Sequence, residues 1–407
     1  MKKNNKIIYQ NFFQKKSIDF KIKKKLDKKF SKIINNIFNN LKKTKDIFHS
    51  LSDIFKFNFK LKDLNKFKKF NTVVIIGMGG SILGSEAIYY FLENKIKKNF
   101  LFFNNLDENN VEKLKKKYLL NKVLFIIISK SGDTIETLAN ITTLKIIKKK
   151  SKNIIVISEK KNNLLYLISK KMNLFHVEQK NYIGGRYSVL SEVGMLPAYL
   201  MGVNIFNLRK NLLRHFKSKN KIFLKNSTIN LTNLLIKNKF KNLIFFNYVP
   251  QLNNFLYWCQ QLIAESLGKK GKGFLPIVSP APKDHHSLLQ LYLDGPKDKI
   301  FYIFSNIPNK KNKINLKILE KEFNFLNRKN LTDIKVAQKN AFLKVLKKKN
   351  IPYREFTITN TNEEILGELF SYFMLETSII GMLANINPFN QPAVEQVKTN
   401  TKKILIK

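Results

Sequence analysis

Gln261 and Glu265 stand four residues apart in the apolar stretch QLIAESLG, so a helix there places both on one face. A carboxylate in such a setting can carry a proton between two atoms of a bound molecule when its surroundings tune its proton affinity. By residue type alone, Glu265 is equally a glutamate on a helix surface near the terminating Gly268. Arg186 is a rare arginine in a lysine-rich chain and follows two glycines in GGRYS. That setting suits a fixed planar cation facing a developing negative charge, although an ordinary surface arginine also fits. His285 and His286 are two of the five histidines. Adjacent positions do not readily share a metal, and no His-Glu-x-x-His pattern or cysteine set is present, so no metal site is expected.

Two further segments offer a seat for an anion. TVVIIGMGGS (72–81) is a β-branched run that ends in Gly77-Met78-Gly79-Gly80-Ser81, and a helical stretch follows. Backbone N–H groups freed at such a strand-to-helix turn favour negative charge. The P-loop pattern fails, because Gly79 and Gly84 have the spacing but Ser85 and Glu86 follow. The dinucleotide fingerprint fails as well, since Gly77-x-Gly79 is followed by Ser81, Ile82 and a late Gly84. Asp107, at the end of the next strand, keeps a ribose contact open as the minor alternative. In the second segment, Ser129, Ser131 and Thr134 bring three hydroxyls to a helix start, with Ser131 or Asp133 as the expected N-cap and Glu136 in the first turn. A capped helix without ligand would explain that segment alone. Together with Gly80 and Ser81, however, the hydroxyls can converge on one phosphate at the carboxyl ends of two strands.

The elements that must position these groups alternate. NFLFFNNL (99–106), KVLFIIIS (122–129) and NIIVIS (153–158) read as buried strands after 72–76, with helices predicted over 81–98 and 134–150. A second set follows, with strands in 241–248, 299–305 and 354–359 and helices over 252–268 and 363–385. Residues 1–68 are lysine-rich with apolar residues at helical spacing, such as Phe20, Ile22, Leu26 and Phe30. The lysine- and asparagine-rich stretch 306–318, broken by Pro308, is expected to be an exposed loop. The fold expected is α/β: two tandem parallel-sheet sandwiches with extra N- and C-terminal helices. Its division would be 1–68 (helices packing on the second unit), 69–205 and 206–407.

Composition bounds the rest. The 407 residues carry 75 Lys and Arg against 28 Asp and Glu, a net charge of +47. No helix-turn-helix, zinc-finger or RNA-recognition signature accompanies that charge, and the abundance of Asn, Ile, Phe and Lys together points to biased composition, so no specific nucleic-acid partner is expected. The single cysteine, Cys259, excludes an internal disulfide and reads as a buried inert thiol. The N-terminus lacks a sustained apolar region, and runs such as VLFIIIS fall far short of the ~18 residues that span a bilayer. A soluble, cytoplasmic protein without membrane contact is expected.

The segments GMGGSILG, SKSGDTIET, GGRYSVLSEVG, QLIAESLGKKGKG, DHHSLLQLYLDG and QPAVEQVK occur in the order found in glucose-6-phosphate isomerases, and the chain resembles that family over roughly residues 70–400. The first two segments are also similar to the wider sugar isomerase (SIS) fold. The resemblance implies reversible aldose–ketose isomerisation of glucose 6-phosphate and fructose 6-phosphate, with no cofactor. It implies Glu265 as the proton carrier between C1 and C2, Arg186 as stabiliser of the enediolate, and His286 with Lys398 as the ring-opening pair, His285 being the local rival. Gln261 would bind substrate, and Gln391 would contact the phosphate. The family's histidine reaches the site from a neighbouring subunit, which implies a homodimer. Two departures stand out: Gly132 and Asp133 occupy the middle of a loop that is threonine-rich in many members, and Ala393 stands where glycine is common. A related isomerase acting on another sugar phosphate, a non-catalytic sugar-phosphate sensor, and a nucleic-acid-binding protein exploiting the +47 charge are the alternatives.

Overall fold

The computed structural model describes residues 6–13, 18–307, 313–314 and 321–406. Among the described residues, short apolar runs rich in Ile, Val and Phe form ten strands: β1 (Ile7–Phe12), β2 (Thr72–Gly77), β3 (Asn99–Phe103), β4 (Val123–Ile128), β5 (Ile154–Ser158), β6 (Phe175–Glu178), β7 (Asn242–Asn247), β8 (Leu275–Pro280), β9 (Lys299–Asn306) and β10 (Tyr353–Ile358). The first sheet is all parallel in the order β3-β2-β4-β5-β6. The second has the order β1-β10-β9-β7-β8, parallel except for β1. Every residue of β4 and β5 is buried, as expected for strands covered on both faces.

The helices used below are α1 (Phe20–Asn40), α2 (Leu83–Leu92), α3 (Glu108–Lys117), α4 (Ile135–Thr143), α5 (Leu164–Lys171), α6 (Ser218–Lys237), α7 (Asn253–Leu267), α8 (Glu363–Leu383) and α9 (Ala393–Ile406). One core runs from Val73, Ile75 and Leu124 through α7 and α8 to Tyr302 and Phe356, so the facing sides of the two sheets share it. Separate clusters cover the outer faces, around Val74 and Phe125 in the first sheet and Ile244 and Phe301 in the second. By length and composition α8 could cross a membrane, but it is the central core helix, with 94% of its apolar window buried.

The structure departs from the sequence-based expectation at the N-terminus. Residues 7–12 are not helical: they form β1, antiparallel to β10 with Ile7 opposite Ile358. Tyr9 explains why, since its ring packs on Tyr372 and Phe356 while its hydroxyl donates to Glu368 at 3.1 Å. Strands β6 and β8 also escaped the sequence reading; both lie at a sheet edge, β6 has only four residues, and β8 contains two prolines. The expected helix over 134–150 stops at Thr143, where Lys145 takes φ +52° and turns the chain. Asn306 ends β9, while Pro308 and most of the stretch 306–318 lie outside the described residues.

Candidate active site

Helix α7 buries Phe255, Leu256, Cys259, Leu262 and Ile263 and leaves Gln261 and Glu265 on one half-buried shoulder. Gln261 Nε2 donates to Glu265 Oε1 at 2.9 Å. Arg186, only 3% exposed, faces the other carboxylate oxygen. Its Nη1 donates to Glu265 Oε2 at 3.2 Å and to Gln391 Oε1 at 2.6 Å. Its Nε donates to Ser266 Oγ at 2.8 Å, and Nη2 donates to the carbonyls of Pro388 at 2.6 Å and Asn390 at 3.1 Å. All five N–H groups of the guanidinium therefore have acceptors, which is what makes so deep a cation tolerable.

The glycine turn abuts this pair. Gly79 has φ +53°, and a Cβ there would lie 2.7 Å from Gln261 Nε2. A Cβ on Gly80 would lie 2.2 Å from the carbonyl carbon of Gly185, so only glycine permits the two backbones to meet. Four segments thus converge: 79–81, 185–186, 261–266 and 388–391.

Strand β2 pairs with β4 through Gly77 opposite Ile128, so the turn bearing half-buried Ser81 and the loop 129–134 leave the sheet side by side. The strand order reverses at this point, with β3 on one side and β4 on the other, which is where open α/β sheets take ligands. Ser129 Oγ and Thr134 Oγ1 lie 2.9 Å apart, Ser131 Oγ lies 3.5 Å from Thr134 Oγ1, and Ser129 Oγ accepts from Gly132 N at 3.1 Å. The three hydroxyls therefore gather at one point.

The expected N-caps are corrected. Thr134 holds the N-cap position of α4 with no side-chain cap bond. Ser131 Oγ accepts from Asp133 N at 3.4 Å, and Asp133 accepts from Leu164 N at 3.0 Å, at the start of α5. The Asp133 carboxylate is thus committed to a helix N-terminus, which favours an anion. Asp107, the minor candidate for a ribose contact, is the N-cap of α3 and accepts from the N–H groups of Asn109 and Asn110.

Two of the expected residues are not brought to Glu265 within this chain. His286 is exposed beyond the short turn Lys283–His285, whereas His285 Nε2 is bonded to the Tyr248 hydroxyl at 2.7 Å. Burial, and then the neighbouring His286, hold the pKa of His285 below its usual value. Lys398 is exposed on α9 and pairs with Glu395 at 2.8 Å. Among the described residues no three His, Cys, Asp or Glu side chains form a metal-binding group.

Sequence reasoning passed over several partners of Arg186, namely Ser266 and the carbonyls of Pro388 and Asn390. The proximity of Ser266 to Glu265 was a usable signal; the carbonyls left none. It also gave no role to Lys269, whose Nζ donates to the carbonyls of Asn387 at 2.6 Å and Ser266 at 3.2 Å. Burial, and then Arg186, lower this ammonium to about 8 against the opposing pull of Glu265. A cleft of about 670 Å³ opens onto Gln261 and Glu265 between α2, β3 and α7. Glu86 also lines it, its carboxyl pKa raised by burial and only partly offset by a 2.6 Å bond from Asn104.

Paired parallel sheets with an anion seat at a switch point, beside a carboxylate and a buried guanidinium, define a protein built to hold a small phosphorylated molecule for proton-transfer chemistry. The comparisons narrow that class. A family profile for phosphoglucose isomerase matches residues 31–274, and the chain belongs to this family. It is 34% identical over 356 residues to the glucose-6-phosphate isomerase of Methanocaldococcus jannaschii, covering 83% of this chain and 86% of that one. Among solved structures, a hypothetical protein of Thermus thermophilus aligns at TM-score 0.83 and 21% identity, covering 98% of this chain and all of that chain. A glucose-6-phosphate isomerase of Chlamydia trachomatis aligns at TM-score 0.78 and 17% identity, covering 98% and 88%. Both share the fold.

Proposed function

We propose that the chain interconverts glucose 6-phosphate and fructose 6-phosphate, a step of glycolysis and gluconeogenesis. The observation that carries this reading is the Glu265 carboxylate, held between the Gln261 amide and the Arg186 guanidinium beside the glycine turn. In this reading the phosphate sits on Ser81, Ser129, Ser131, Thr134 and the N–H groups near Gly80. Glu265 takes the proton from C2 of the open-chain aldose and returns it to C1. Charge that builds on the substrate oxygens in the enediolate faces Arg186, which needs no reorganisation because its side chain is already fixed.

Ring opening is assigned to His286 and Lys398. His286 is preferred over His285 because the latter is engaged by Tyr248. The exposure of His286 and Lys398 in the single chain supports a homodimer in which a second copy completes each site. We also propose a cytoplasmic location and unit boundaries at 69–205 and 206–407. Of the segment 1–68, α1 packs on the second unit, but the expectation that all of it does so is corrected, because Phe67 meets Phe175 and Asn58 N donates to Glu192, both in the first unit.

The test is fructose 6-phosphate turnover by EDTA-treated protein, with glucose 6-phosphate read through a coupled dehydrogenase. Wild type should turn over, while Glu265→Gln should keep its circular dichroism and lose about 10³-fold in kcat, the range expected for losing a general base. Full activity in Glu265→Gln would remove it as the proton carrier.

A further inference from the structure

Lysines are spread along the sequence, yet the fold gathers an unpaired group of them at one pole of the first sheet. The chain enters β2 to β6 through residues 68–71, 96–98, 118–122, 144–153 and 172–174, and these connections contain ten lysines and no Asp or Glu. Because the five strands are parallel, all five connections lie at the pole opposite the site described above. The site's own pole is different: Lys130 and Lys161 pair with Glu159, and Lys180 pairs with Glu192.

Two adjoining clefts of about 760 and 470 Å³ open at the basic pole and share Lys69 and Lys152. Lys66, Lys69, Lys117, Lys122, Lys150 and Lys152 line them, and no carboxylate does. All six are exposed, and among the described residues none forms an ion pair. Compensation of a helix dipole accounts for Lys117 in the last turn of α3, and Lys122 closes the short helical turn Leu120–Lys122, but Lys69, Lys150 and Lys152 lie beyond the helix ends. Crowding of like charge is visible nearby: burial, and then Lys68, lower the pKa of Lys98. Neutral donors and acceptors stand between the lysines, among them Asn121, Ser151 and Asn173. Half-buried aromatic rings flank them, with Lys66 Nζ 4.6 Å from the Phe175 centroid and Lys117 Nζ 5.4 Å from that of Tyr118.

A basic groove with interleaved aromatic rings and amides is what a flexible chain of phosphates and bases requires. A lipid surface fits less well, because the lining offers Leu119 as its one strongly exposed large apolar side chain. We propose that this pole binds the phosphodiester backbone of a single-stranded polynucleotide, at a site separate from the sugar-phosphate site.

The test compares two quadruple variants that carry the same change in net charge. One replaces Lys66, Lys69, Lys122 and Lys152 by Gln. The other replaces Lys24, Lys25, Lys28 and Lys32, exposed on α1, by Gln. Binding of a fluorescein-labelled oligouridylate is followed by anisotropy as salt is raised from about 50 to 200 mM, with melting temperature and isomerase turnover measured alongside. The pole variant should bind at least about tenfold more weakly, and its log–log salt slope should fall by about 3, since each lost contact removes about 0.7. The α1 variant should change less than about twofold, and both should keep wild-type turnover and melting temperature. Equal weakening in the two variants, or no binding by wild type at the lowest salt, overturns the proposal. Inorganic polyphosphate is the competitor that separates the two sources of phosphate: displacement of the oligonucleotide at lower phosphate concentration than unlabelled oligouridylate requires would overturn the polynucleotide assignment.

Discussion

Arg186 Nη1 lies 3.2 Å from Glu265 Oε2, joining a glycine-flanked turn to a helix 79 positions away. The guanidinium is almost fully buried, while the carboxylate side chain keeps a quarter of its surface open. The cation is thus fixed by protein on all sides, and the base is left accessible to a substrate. The same guanidinium holds Gln391, Pro388 and Asn390, so it also anchors the segment that leads into α9.

Arg186→Lys should therefore be costly although charge is conserved. A lysine ammonium cannot serve five acceptors spread around a planar fork, and buried acceptors would be left unpaired. We expect a stability loss of about 3 kcal/mol, in the range for breaking a buried charge network, read by urea unfolding. In the folded fraction kcat should fall about 10²-fold, as for loss of one electrostatic stabiliser of a developing anion.

Gly80→Ala should push the 79–81 turn away from Gly185, since the new Cβ would sit 2.2 Å from backbone that cannot swing aside. Overpacking of this kind costs about 1–3 kcal/mol. Gly202→Ala is the control: Gly202 has φ +86° but nothing within 4 Å, so it should lose stability through backbone strain alone while keeping kcat. Only Gly80→Ala is expected to lower kcat.

The homodimer reading predicts complementation. His286→Ala and Glu265→Gln should each be inactive alone. When the two are unfolded together and refolded as a mixture, mixed dimers carry one site with both residues intact, and activity should return. No recovery from a mixture shown to contain heterodimers would place His286 and Glu265 in the same copy's site.

The β1 edge should be acid-sensitive. Glu368, which holds Tyr9, is fully buried, and burial alone would raise its pKa; hydrogen bonds and charge from His215 and Arg214 outweigh burial and bring it below the usual 4.5. A depressed carboxylate contributes stability that is present above its unfolded pKa and is lost as pH falls through the folded value. The melting temperature should thus drop below about pH 4.5, and the drop should be shallower in Glu368→Gln. Equal slopes in the two proteins would assign the acid loss to other carboxylates.

Much of this could be read from residue order. Near-continuous apolar runs such as VLFIII determine buried parallel strands, since only strands covered on both faces can be apolar throughout. Helical spacing put Gln261 beside Glu265, and the hydroxyl spacing in 129–134 placed Ser129 and Thr134 within hydrogen-bond distance. Local chemistry sets these, so the sequence alone determined them. Tertiary structure decided what depends on partners far along the chain. Residues 7–12 became a strand because β10 offered an open edge and α8 a place for Tyr9. Asp133, an expected N-cap for its own helix, instead accepts from Leu164 N at the start of α5. The five acceptors of Arg186 come from segments up to 205 positions away, two of them backbone carbonyls that no residue type announces. Parallel topology also brought ten lysines and no carboxylate to the connections at one pole of the first sheet, because a parallel sheet sends every entering connection to the same end.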